Sequence, residues 1–266
     1  MRILSRTLLA ELRKLATLPG IWIALAVTLL GTAAITALNA VMVRNAAIAG
    51  DTSSLADTSP FESGFAAMPF VGVIGAVVIG ALAIGSEYTP DRAESGGARQ
   101  IATSLSATPN RTLLFLAKAI LVALLTLLAA VVTIPANYAL AIAIIGGHGT
   151  EYVMLEDALT RSLGAADYWV CMALIAFAIT ALARSVLIPL AVLIANSSVV
   201  SISLILTNVT PLANWLPDMA GRSLFGFPPE LVVPGGLDPG PGALVMAAWA
   251  VGLLGVAGVL FHRRDA

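Results

Sequence analysis

Charge is what this chain has least of. Asp, Glu, Lys and Arg make up 11% of its 266 residues, where a soluble domain carries about a quarter. Lysine is scarcest, with Lys14 and Lys118 alone against twelve arginines, and a formal net charge of −1 leaves no basic surface for nucleic acid. The single cysteine, Cys171, excludes a disulfide framework. Its apolar surroundings make it a small packing residue rather than a reactive thiol. His148 and His262 lie far apart, in a loop and at the C-terminal end, so no metal site is expected. Neither lysine follows a glycine, which removes the phosphate-cradling loop of a nucleotide hydrolase. A Gly-x-Ser-x-Gly nucleophile with a helix-borne His partner is also missing. No carboxylate falls in the middle of an apolar run, which argues against a proton- or sodium-coupled carrier. No cofactor and no catalytic residue are expected in this chain.

What is there is apolar surface: 59% hydrophobic residues and a mean hydropathy of +0.95. The expected fold class is all-α, a polytopic membrane protein. Spanning about 30 Å of hydrocarbon takes roughly 20 helical residues. The runs at about 21–43, 70–86, 119–145, 168–183, 186–206 and 243–261 read as six transmembrane helices. Residues 1–20 form a separate amphipathic helix on the membrane surface, with residues 21–266 as the transmembrane domain. In the N-terminal helix Leu4, Leu8, Leu12 and Leu15 share one face and Arg2, Arg6 and Arg13 the opposite one. Pro19-Gly20 then breaks it.

Lys and Arg near helix ends resist translocation. Six spans with both termini cytoplasmic place eleven of the fourteen basic residues inside and leave Arg44, Arg161 and Arg222 outside. A multi-pass protein of a bacterial-type inner membrane fits that asymmetry. Outside, Asn45 to Met68 reads as a solvated loop or short helix, and Gly146 to Asp167 as a connector able to form a surface helix. Residues 208–242 hold seven of the fourteen prolines together with Trp215, Phe225 and Phe227, and are expected to dip into the interface.

Within the spans, Gly72, Ala76 and Gly80 recur every four residues and permit close helix packing, inside the subunit or across a dimer seam. Asn196, Ser197 and Ser201, with Ser198 and Ser203, concentrate polarity in the fifth span. They either bond neighbouring helices or line a polar pathway. Pro135 with Asn137 is expected to kink the third span. The interior segment 88–111 is the sizeable cytoplasmic loop, and Ile101 and Leu105, four apart, can present an apolar knob to a partner. Arg92 and Arg99 would rim that contact or, if the loop is a solvated connector, simply anchor the topology. Glu87 would fix the loop to the second span through backbone amides or an N-terminal base such as Lys14.

The chain resembles the permease subunits of type 2 ABC transporters. The matching features are Glu11-Leu12-Arg13-Lys14-Leu15 in the N-terminal helix, Gly85-Ser86-Glu87-Tyr88 closing the second span, Thr108-Pro109-Asn110-Arg111 with Lys118 seven residues on, and the proline-rich exterior excursion before the last span. The resemblance implies an exporter subunit that forms the substrate pathway with a second permease copy or paralogue. Cytoplasmic ABC ATPase subunits, holding ATP and Mg, would dock at residues 88–111, and short re-entrant helices would form within 208–242. Membrane lipids are the remaining partner. The alternative is a polytopic membrane protein that moves no solute, such as an immunity or assembly factor.

Overall fold

The computed structural model describes residues 2–53, 55, 57–88, 100–107, 110–150, 153–196, 201–226, 233 and 235–263. Among these the secondary structure is entirely helical. The chain is an all-α polytopic protein, as expected, but among the described residues five helices rather than six are long and apolar enough to cross a membrane: Pro19–Ala49, Pro60–Tyr88, Arg111–His148, Leu155–Ala183 and Pro239–Arg263.

Local chemistry sets the ends of these helices. Gly50 closes the first span in the left-handed conformation, at φ 74°, which glycine adopts without steric cost. The second span starts at Pro60, ten residues earlier than its apolar run. Ser59 caps it, accepting from the amides of Phe61 and Glu62, and proline suits the first helical position. Asn110 caps the third span through Leu113 N at 3.0 Å. That helix passes Pro135 without interruption to Ile145. The fourth span begins at Leu155, so the expected exterior connector up to Asp167 is largely its first turns, with Glu156 and Asp157 near the positive end of the helix dipole.

The predicted fifth span, Val186 to Leu206, is not one helix. Helical turns cover Leu187–Pro189 and Leu190–Ile194, and a separate short helix covers Ile202–Thr207. The polar side chains that looked like a stripe on a continuous helix bind backbone at the break instead. Ser201 Oγ accepts from Leu204 N at 3.0 Å as an N-cap, and Asn196 Oδ1 accepts from Ser203 N at 3.2 Å.

Contacts fix which helix ends lie together. The N-terminal helix (Arg2–Thr17), the end of the second span, the start of the third and the end of the last meet at one end, where Thr112 Oγ1 and His262 Nδ1 are 3.4 Å apart. Tyr88 hydroxyl donates to Ala181 O there, so the fourth span finishes at this basic end too. At the distal end Thr58 and Thr150 are hydrogen-bonded at 2.6 Å. Residues 211–226 fold as the 3-10 turn Pro211–Trp215, the helix Pro217–Arg222 and a further turn. Gly221 lies against Tyr168 and Met246, so this excursion lies within the bundle instead of capping it from outside. The connection from the fourth span to the last therefore starts at the basic end and finishes at the distal end. The broken helix makes that passage.

The core lies between the second and fourth spans. Gly72 and Gly80 both face the fourth span, where an added Cβ would overlap the Trp169 ring and the Ala173 carbonyl, and Ala76 is buried between them. A π-turn at Met68–Gly72 makes the first of these contacts possible. Gly72 N bonds Ala67 O, which releases the Met68 carbonyl to accept from Trp169 Nε1 at 3.0 Å.

Candidate functional site

The N-terminal helix uses three faces. Thr7, Glu11 and Leu15 are buried against the bundle, Leu9 and Leu12 are exposed to one side, and Arg6 and Arg13 point away. The expected single leucine stripe is thereby split, because the bundle claims the neighbouring face with its two charged groups. Glu11 and Lys14, three apart, lie on that face.

There they complete a chain of alternating charge. Lys14 pairs with Glu87 at the end of the second span. Glu87 lies 2.8 Å from Lys118 Nζ in the third span. Lys118 Nζ forms an ion pair with Glu11 Oε2 at 2.5 Å. Lys118 also donates to Ala83 O at 3.3 Å. Ser104, on the loop helix Gln100–Ala107, accepts from Lys14 at 2.9 Å and donates to Glu87 Oε2 at 2.8 Å. Glu87 and Lys118 are wholly buried. The joint is neutral, two acids against two bases, and it fastens four elements at one point. Buried ion pairs give little net stability, but losing one partner strands the others. Its evident capacity is mechanical, holding the N-terminal helix, the loop helix and two spans in fixed register.

Two further polar junctions lie towards the distal end. Asn137 in the third span donates to Thr32 Oγ1 at 3.0 Å and accepts from Thr36 Oγ1 at 2.7 Å, locking the first span to the third. Arg161 in the fourth span forms a two-pronged pair with Glu62, donates to Phe225 O at 2.7 Å, and stands 5.0 Å above the rings of Phe61 and Phe65. That pairing ties the excursion at residues 211–226 to the start of the second span.

The structure separates the sequence-named residues into groups. Glu87 sits at the centre of the charge joint beside Lys14. Ile101 is buried in the bundle core and Leu105 is half-buried against it, so the apolar pair faces inward rather than forming an outward knob. The physical reason is that Ser104, which joins Lys14 and Glu87, turns that face of the short helix towards the bundle. Arg92 and Arg99 lie outside the described residues. Asn196 and Ser201 come together with Ser203, where Asn196 Nδ2 donates to Ser203 Oγ at 2.9 Å, and the three face Asp218 on the helix Pro217–Arg222. Ser197 lies outside the described residues. Asp218 is buried, and its Oδ1 has no hydrogen-bond partner among the described residues.

Sequence reasoning passed over Glu11, Lys118 and Asp218 as site residues. Lys118 carried a readable signal, since a charge seven residues inside an apolar helix is costly without a partner. Asp218 carried none, because its neighbours in sequence read as exterior loop. The chain matches no protein-family model and no curated protein.

Proposed function

We propose that this chain is the permease subunit of an ATP-driven exporter of the type 2 ABC class, multi-pass in a cell membrane with its basic end cytoplasmic. The observation that carries the reading is the neutral charge joint of Glu11, Lys14, Glu87 and Lys118. It lies directly beside the loop helix, where a cytoplasmic ATPase would push. A push on the loop helix reaches the second and third spans and the N-terminal helix together, as a rigid-body movement, because three elements share one set of ion pairs and Ser104 hydrogen-bonds the loop helix to it. Ile101 and Leu105 serve as the inner anchor of the loop helix. The ATPase surface is then the outward side of the loop and the exposed Arg6 and Arg13 of the N-terminal helix. ATP and Mg belong to that partner, and a second permease copy or paralogue completes the pathway.

Purification in mild detergent tests this. A Walker-motif ATPase should co-purify in fixed ratio, and its hydrolysis should depend on this chain. Glu87→Gln should keep the ATPase bound while uncoupling hydrolysis from substrate. Recovery of the intact chain with no ATPase would favour a membrane protein that moves no solute.

A further inference from the structure

A groove of about 630 Å³ runs between the third and last spans at the basic end. Its wall is apolar along most of its length, with Phe115, Leu116 and Leu254, and its mouth is polar, with Thr112, His262 and Arg263. Gly255 opens it, since the space where a Cβ would stand is empty. From Val251 to Arg263 the last span rises about 18 Å at 1.5 Å per residue. That exceeds half of the roughly 30 Å hydrocarbon thickness. The groove is thus as deep as one leaflet, apolar inside and cationic at the surface.

We infer that this groove is a binding site for an anionic phospholipid, with one acyl chain along Leu254 and Gly255 and the headgroup phosphate held by Arg263 and His262. Arg263 presents a planar fork that matches phosphate oxygens, and the exposed His262 ring stands beside it at the groove mouth. Basic pockets between spans at the cytoplasmic surface recognise anionic headgroups in this way. A helix of a second copy is the other candidate occupant, but the lining of the groove favours lipid. Gly252, Gly255 and Gly258 recur every three residues, which turns off one helix face by about 60° per step and builds no four-residue seam for a close-packed partner. A protein partner also has no use for a cationic mouth on an apolar trough.

The full-length protein would be reconstituted in nanodiscs of phosphatidylcholine mixed with an equal part of phosphatidylglycerol, then released into native mass spectrometry to count retained lipids. Phosphatidylglycerol should be retained over phosphatidylcholine. The paired variant His262→Gln with Arg263→Gln, both exposed and outside the packed core, should lose about fivefold of that preference, from about 1 kcal/mol for a cation near an anionic surface. Gly255→Leu, which fills the trough, should lower retention of both lipids without changing oligomeric mass. Equal retention of the two lipids by the unaltered protein would overturn the assignment. So would a preference that survives the paired variant, while a drop in oligomeric mass with Gly255→Leu would give the groove to a second copy of the chain.

Discussion

At the scale of single residues the decisive feature is a lysine where a lysine is expensive. Lys118 is wholly buried, yet its charge is met by Glu87 at 2.8 Å and Glu11 at 2.5 Å. Replacing it with Met keeps the volume and removes the charge, leaving Glu11 without a counter-ion while Glu87 keeps Lys14. Breaking a buried pair in this way costs about 3–5 kcal/mol. Lys118→Met should therefore lower the thermal unfolding midpoint in detergent sharply, and adding Glu11→Gln should recover much of the loss, since the two sites couple directly. Additive losses in the double variant would show that the pair does not interact. Glu87 and Lys14 were legible as partners because one closes a span and the other precedes the first span by five residues. Asp218 was not legible, because its neighbours Asn196, Ser201 and Ser203 come from a different segment brought beside it by the fold.

At the scale of elements, hydropathy located five helices but misjudged a sixth and several boundaries. The apolar run from Val186 to Leu206 satisfies a span-length criterion, and periodicity is blind to the competition that ends it. A hydroxyl or amide that bonds backbone amides outcompetes the next helical turn, as Ser201 and Asn196 do here. Gly72 and Gly80 were legible as a packing face, whereas the identity of the opposing helix was not. Gly80→Ala should be costly despite its small size, because the added Cβ meets the backbone carbonyl of Ala173, which cannot rotate away. A loss of about 1–3 kcal/mol is expected, read as a lowered unfolding midpoint.

At the scale of the whole molecule, the N-terminal helix and the end of the last span lie at the same end of the bundle although five spans are found among the described residues. The first four spans alternate, so the fourth finishes at the basic end beside Tyr88, while the last begins at the distal end, where Gly242 packs on Ala220 of the re-entrant helix. The intervening segment must carry the chain back to the distal end, and its described part is helix broken at Ser201. Irregular backbone inside a membrane is tolerable only where protein surrounds its polar groups, and Ser201, Ser203 and Asp218 are all buried. Charge asymmetry reaches the same parity by an independent route, since eleven basic residues gather on one side only if both termini share it. In a Cys171→Ala background, Arg13→Cys and Arg263→Cys should both be shielded from an impermeant thiol reagent applied to intact cells, and Asp51→Cys should react. Opening the cells should expose the first two. Labelling of Arg13→Cys and Arg263→Cys from opposite sides would require an odd number of passages, and the segment from Arg184 to Asp238 would then return to the side it left.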